Sequence, residues 1–192
     1  MDNTITGFFG QYGDLEKSDI EDIKSHATRQ IIEKGAFLLN EGDICKNFYL
    51  VVDGCLRLHY LKEGIDTSVW FSFKNNSSIE LYSYISEKPS EYFIESIEKT
   101  EVICISKHRI EKLCIENPNI DSLFRLFWQD VVQTLIDRLT SLHKYSAEER
   151  YLKLLEDTDY LHRIPQKYLA SYIGVTTTSL SRIKRIIQTK LS

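Results

Sequence analysis

The spacing of apolar positions changes along the chain, and those changes divide it. Ser18 and Glu21 are spaced as a capping box, and Ile20, Ile23 and Ala27 follow at helical intervals, predicting a short helix over residues 19–26. The period then falls to two. Ile31, Phe37, Leu39 and the run Phe48 to Val52 read as strands, and Asp53-Gly54 predicts a two-residue hairpin turn into Leu56, Leu58 and Tyr60, alternating with Cys55, Arg57 and His59. A second turn over residues 62–66 leads to Val69, Phe71 and Phe73. The polar stretch 74–78, a mixed apolar segment over 79–85, a turn containing Pro89 and strands over 92–97 and 102–105 complete this region. Many short strands separated by turn chemistry predict an antiparallel roll.

From Ser106 the period returns to 3.6. Ser106 can cap a helix reaching Cys114, and Asn117-Pro118 is a cap followed by proline at the first helical position. Ile120, Leu123, Phe124, Phe127, Val131, Leu135, Leu139 and Leu142 then recur at three- and four-residue steps, while Leu126, Trp128, Val132 and Ile136 add a second apolar flank. That is more apolar surface than one buried side needs. The pattern therefore predicts a helix that packs on the roll and also on its copy in a two-fold dimer, with Phe124, Phe127, Val131, Leu135, Leu139 and Leu142 at the seam. Ser146 and Glu149 form another capping box, opening a helix to about residue 156 that carries Arg150, Leu152, Leu154 and Leu155. Beyond Pro165, Leu169, Ile173, Val175, Leu180 and Ile183 surround small Ala170 and Gly174, as two steeply crossing helices with a glycine between them require. The fold class is α+β, with a β-roll and flanking helices over 1–117, a dimerisation helix over 118–144 and a helical pair within 145–192.

Length and composition fit a soluble globular protein: 192 residues, 42% hydrophobic and 11% aromatic, suffice for a proper core. No apolar run could span a bilayer, and the N-terminus has neither the basic start nor the apolar core of a signal peptide, so a cytoplasmic location without membrane partners is expected. Cys45, Cys55, Cys104 and Cys114 are scattered and read as reduced structural thiols, with no metal site implied. The net charge of −4 argues against a polyanionic partner until its distribution is considered. Residues 160–192 contain Arg163, Lys167, Arg182, Lys184, Arg185 and Lys190 and no acid, leaving 18 basic against 28 acidic residues elsewhere. An acidic body with a basic helical end suits a duplex-binding protein.

In this order the parts resemble the Crp/Fnr superfamily of bacterial transcription regulators. The resemblance rests on residues 34–43 (KGAFLLNEGD), 48–58 (FYLVVDGCLRL) and 94–106 (IESIEKTEVICIS) in the roll. It rests most specifically on 150–155 (RYLKLL) followed by 164–185 (IPQKYLASYIGVTTTSLSRIKR). It implies a homodimer that binds double-stranded DNA sequence-specifically, with RNA polymerase as a further partner. The recognition helix would span about 176–187, placing Thr177, Thr178 and Arg182 at base edges; an Arg guanidinium suits guanine O6 and N7. Gln166, Lys167, Thr176, Ser179, Ser181 and Arg185 would face phosphates, which set register. Many members carry Glu where Thr178 stands, so a different half-site is expected.

The effector site departs from the family's cyclic-nucleotide pattern. Glu80 matches the ribose-binding acid, but Ile79 replaces the preceding glycine, Ser90 stands where a phosphate-pairing arginine belongs, and no arginine lies between Arg57 and Arg109. A pocket around Glu80, Leu81, Tyr82, Ser90, Glu91 and Tyr92, with Leu135 and Ile136 contributed by the long helix, would leave a cyclic phosphate unpaired. Cyclic AMP is not the expected effector, and no cofactor is implied: the first 44 residues lack the cysteines an iron–sulfur cluster would use, and His26 and His59 read as structural rather than haem ligands. A small-molecule-binding or protein-interaction module without DNA activity is the alternative. An enzyme is not expected, because the five histidines show no HxH pair.

Overall fold

The computed structural model describes residues 2–156 and 158–191. The chain forms two compact units: Met1–Tyr60 with Trp70–Val131, and Leu61–Val69 with Val132–Ser192. In chain order the elements are α1 (Asp2–Phe9), α2 (Lys17–Ser25), β1 (Thr28–Ile32), β2 (Phe37–Leu39), β3 (Asn47–Asp53), β4 (Leu56–Lys62), β5 (Ile65–Ser72), β6 (Ser77–Ser78), α3 (Leu81–Ser86), β7 (Phe93–Ser96), β8 (Thr100–Ser106), α4 (Lys107–Glu116), α5 (Pro118–Lys144), α6 (Ala147–Leu154), α7 (Thr158–Arg163), α8 (Gln166–Tyr172) and α9 (Thr177–Leu191). The strands form two four-stranded sheets, ordered β1-β8-β3-β6 and β2-β7-β4-β5. The α+β roll followed by helices is as the sequence predicts.

The continuous apolar run of β3 has a direct cause, because both of its faces are covered. Phe48 and Leu50 enter a cluster with Ile5, Phe8, Phe9, Ile103, Ile105, Phe124 and Phe127, whereas Tyr49 and Val51 join Leu39, Leu56, Ile94 and Val102 in a second cluster. The Asp53-Gly54 turn is not a hairpin. It carries the chain from one sheet to the other, since β3 and β4 belong to different sheets. Gly54 has φ 95°, and a Cβ there would stand 2.5 Å from Thr100 Cα and 2.8 Å from the Lys99 carbonyl oxygen. The hairpin proper joins β4 to β5 through Glu63 and Gly64, at φ 53° and 77°.

Helix α1 escapes sequence reading because Thr4, Thr6 and Gly7 are weak helix formers, yet Ile5, Phe8 and Phe9 are among the most deeply buried residues. Helix α2 is capped two residues earlier than Ser18 and Glu21 suggest: the Asp19 carboxylate accepts the Glu16 N–H at 2.9 Å. The same carboxylate accepts Asn117 Nδ2 at 2.9 Å and also Asn119 Nδ2, tying α2 to the start of α5. The remaining caps form as expected, with Ser106 accepting Arg109 N–H, Asn117 Oδ1 accepting the N–H groups of Asn119 and Ile120, and Ser146 paired reciprocally with Glu149.

Helix α5 requires a correction. Phe124 and Phe127, expected at an intersubunit seam, are each 2% exposed and packed inside their own chain. Their rings lie 5.1 Å from Phe9 and 5.5 Å from Phe8, and 5.9 and 5.6 Å from Phe48. Val131 packs on the edge of the same cluster. The outward apolar residues lie further along: Val132, Leu135, Ile136, Leu139 and Leu142 are 43–58% exposed and fall on one stripe. The long apolar repeat thus contains two surfaces in succession, a core face and then an open face. Period alone does not separate them.

On the second sheet Arg57 is 1% exposed at its side chain and holds Glu95, its cross-strand partner on β7, through Nε at 3.1 Å and Nη2 at 3.0 Å. His59 stacks on Phe93 at 5.1 Å with Nε2 3.5 Å from the same carboxylate. The four cysteines are thiols, and burial pushes those of Cys45, Cys104 and Cys114 upward.

Candidate nucleic-acid interface

The second unit is built around Tyr151, Ile164, Leu169, Ala170, Tyr172, Ile173, Leu180 and Ile187, all buried. Helix α8 starts behind Pro165 and ends at a glycine: Gly174 has φ 77°, the Gly174 N–H donates to Ser171 O at 3.0 Å, and the Val175 N–H donates to Ala170 O at 2.9 Å. This paired pattern is the Schellman ending, and it fixes the turn into α9. A Cβ on Gly174 would be 3.6 Å from Arg150 Nη2, an ordinary contact, so backbone conformation rather than space selects glycine. Thr176 then caps α9, its hydroxyl accepting the Ser179 N–H at 3.2 Å and donating to Ser179 Oγ at 3.0 Å.

These caps sort the residues expected to meet DNA. Thr176 and Ser179 use their hydroxyls on each other, and Ser181 donates to the Thr177 carbonyl at 3.0 Å. Thr177, Thr178, Arg182 and Arg185 are exposed on α9, and Gln166 and Lys167 are exposed on the first turn of α8, with Lys167 Nζ 4.6 Å above the Tyr168 ring. Lys184 is half-buried, its ammonium 5.9 Å from the Tyr151 ring, and the Lys190 side chain lies outside the described residues.

Two residues that sequence reading did not single out for this site hold it together. Arg150 donates from Nε to Ile173 O at 2.9 Å and from Nη1 to the carbonyls of Tyr145 and Leu142. Arg138, on α5, donates to Tyr172 O and lies 3.8 Å above the Tyr172 ring. Burial, then the nearby Arg138, lowers the Arg150 guanidinium from its usual range. The carbonyl-rich end of α8 offsets that repulsion, since cations at a helix C-terminus meet the negative end of its dipole. An Arg read as a surface charge gives no sequence signal for this role.

Two of the residues expected at an effector pocket, Glu80 and Ser90, hold backbone groups. Glu80 is 3% exposed and caps α3, accepting the N–H groups of Tyr82 at 3.1 Å and Ser83 at 2.8 Å. Ser90 is 2% exposed, with Oγ accepting the Tyr92 N–H at 3.0 Å and donating to Tyr92 O at 3.0 Å. Tyr82 points outward at 58% exposure, Glu91 is exposed, Leu81 and Tyr92 are partly exposed, and Leu135 and Ile136 are exposed in the second unit. Among the described residues no group of three or more His, Cys, Asp or Glu could hold a metal ion, and no helix is long and apolar enough to cross a membrane.

Comparison with known proteins agrees with this architecture. Residues 29–117 match the cyclic nucleotide-binding domain family. The anaerobic regulatory protein of Bacillus subtilis is 29% identical over 106 residues, a match that spans 54% of this chain and less than half, 44%, of that protein. Among solved structures, FixK2 from Bradyrhizobium japonicum superposes with a TM-score of 0.71 at 19% identity, covering 85% of each chain. The c-di-GMP-responsive global regulator CLP of Xanthomonas campestris gives 0.71 at 15% identity over 91% of this chain and 93% of its own. A putative crp/fnr-family transcriptional regulator from Eubacterium rectale gives 0.68 at 18% identity over 92% and 85%. A β-roll that matches the cyclic nucleotide-binding domain family, followed by a long helix and further helices, is thus the fold this chain shares with these regulators.

Proposed function

We propose that the protein is a cytoplasmic, homodimeric transcription regulator that binds duplex DNA sequence-specifically through α9 and does so without cyclic AMP. The observation carrying this reading is the exposed array on a capped and braced helix: Thr177, Thr178, Arg182 and Arg185 project from α9, while the neighbouring hydroxyls of Thr176, Ser179 and Ser181 are tied up locally. Arg182 is the residue best suited to a bidentate guanine contact, and Thr177 and Thr178 suit adjacent base edges; Arg185, Gln166 and Lys167 suit phosphates. The stripe of Val132, Leu135, Ile136, Leu139 and Leu142 supplies the face on which two copies meet, which makes a two-fold symmetric pair of half-sites the expected target.

The hydrogen bonds already made by the pocket groups support the reading of independence from cyclic AMP. The Glu80 carboxylate already serves two amides, the Ser90 hydroxyl already serves the backbone of Tyr92, and no arginine stands between residues 57 and 109 to pair a phosphate. The test is selection of bound sequences from random duplexes, followed by titration of the winning duplex with wild type and Arg182→Ala. The wild type should bind a palindrome with steep salt dependence, and cyclic AMP should leave affinity unchanged. Arg182→Ala should lose about 1–3 kcal/mol of discrimination at one base pair while retaining non-specific binding. Equal preference of both proteins for every sequence would refute the reading.

A further inference from the structure

A helix leaves its last four carbonyls without intrahelical partners, and each must find a donor or water. At the end of α8 all four are accounted for by protein. Ala170 O and Ser171 O accept the N–H groups of Val175 and Gly174 from the Schellman turn. The other two are taken by side chains from different elements: Tyr172 O by Arg138 of α5, and Ile173 O by Arg150 of α6. Arg150 also grips Leu142 O and Tyr145 O at the end of α5, so one guanidinium spans the junction between that helix and the turn. A third arm comes from the β4–β5 hairpin. Ser171 Oγ accepts the Ser68 N–H at 3.1 Å and donates toward Ser68 Oγ at 3.0 Å. Three successive residues of one helix end, Ser171, Tyr172 and Ile173, are therefore each fixed from a separate element of the same unit.

We propose that Arg138, Arg150 and Ser68 act as positioning residues for DNA recognition: they set the direction in which α8 hands the chain to α9, and so the separation of the two recognition helices in the dimer. The inference rests on the DNA-binding reading above. None of the three residues needs to touch DNA. The chemistry fits the task, because a planar guanidinium can bond a carbonyl along its edge and lie flat on a ring at once, which fixes a direction as well as a distance. Arg138 does both at Tyr172, from the helix that also carries the outward apolar stripe. Half-site separation in a helix-turn-helix dimer is a geometric quantity, so a loosened α8 end should appear as tolerance of wrong spacing rather than as wrong bases.

The test uses the full-length protein and duplexes carrying the selected half-site twice, with the centre-to-centre spacing varied by one and two base pairs, together with a duplex carrying one half-site. Arg138→Ala should lose tenfold or more in affinity for the best spacing while changing little at the others. Its half-site base preference and its salt slope on non-specific duplex should stay those of the wild type. Arg138→Lys, which keeps a donor but not the flat stack, should show the same flattening to a smaller extent. Ser171→Ala removes one arm with a residue that favours helix, so it guards against a fold-loss explanation; it too should flatten the spacing profile. A wild-type spacing profile in both Arg138→Ala and Ser171→Ala overturns the clamp. Unfolding of Arg138→Ala together with a wild-type profile in Ser171→Ala also overturns it. Failure of the wild type to prefer any duplex would instead sink the DNA-binding reading, which separates the two.

Discussion

The two halves of α5 can be told apart by one pair of substitutions. Phe127 is 2% exposed, with ring neighbours Phe8 at 5.5 Å, Phe48 at 5.6 Å and Trp128 at 4.9 Å, so Phe127→Ala removes a fully packed aromatic. The transfer and cavity costs together come to about 3–5 kcal/mol. For a chain of 192 residues that lowers Tm by roughly 6–20 °C. The loss should not depend on protein concentration, because the partners belong to the same chain. Leu139 is 58% exposed, and burying a whole leucine is worth about 1.5–3 kcal/mol, so its open part accounts for about 1–2 kcal/mol in each copy. Two copies meeting on this stripe would lose about 2–4 kcal/mol on Leu139→Ala, raising the dimer dissociation constant roughly 30- to 900-fold. Sedimentation equilibrium reads the second effect, and urea unfolding at two protein concentrations reads the first. A monomer–dimer equilibrium shifted more by Phe127→Ala than by Leu139→Ala would refute the division of the helix into a core half and an open half.

Gly54→Ala should destabilise by at least about 2 kcal/mol in thermal melts, because it combines a positive φ with a Cβ 2.5 Å from Thr100 Cα. Arg57→Met should cost about 3–5 kcal/mol by leaving Glu95 without its partner, and Arg57→Met with Glu95→Leu should recover most of that in urea titrations. For Asp19, burial alone would raise the carboxyl, but its hydrogen bonds from Asn117, Glu16 and Asn119 outweigh burial and hold it below the ordinary range. A depressed carboxylate contributes stability that is present above its unfolded pKa and lost as pH falls through the folded one. The wild-type Tm should therefore drop below about pH 4, and Asp19→Asn should be less stable at pH 7 with a flatter acid limb.

Much of the fold was legible because its signals are local and redundant. The strand runs, the caps at Ser106, Asn117 and Ser146, and the glycine at the end of α8 each need only a few neighbouring residues to be read. What failed was information about the far side of a residue. Asp53-Gly54 has hairpin composition, yet the chain changes sheets there because Thr100 sits against Gly54 from 46 residues further along the chain. Helix α1 has weak local propensity and exists because Ile5, Phe8 and Phe9 meet Phe48 and Phe124. Phe124 and Leu139 sit in one apolar repeat, and only the presence of the roll beside the first distinguishes them.

The same limit governs the candidate sites, where the decisive question is whether a polar side chain is already in use. Glu80 matches a ribose-binding acid by position, but its carboxylate already accepts two backbone amides at the start of α3, which residue type alone does not reveal. Ser181 looks like a phosphate donor and instead bonds its own helix, as serines within helices can. The opposite case is Arg138, which in sequence is one more charge on a long helix and in the fold donates to the Tyr172 carbonyl at the end of α8. A set of residues chosen by type alone therefore does not register that Thr176, Ser179 and Ser181 already hold local hydrogen bonds, and it omits the braces behind α9. If that account holds, Ser181→Ala should leave specific affinity within about twofold of wild type, since it removes a hydroxyl that DNA never meets. A loss comparable to that of Arg182→Ala, in the same titration, would show that the back-bond to Thr177 opens on binding and that Ser181 belongs with the readers after all.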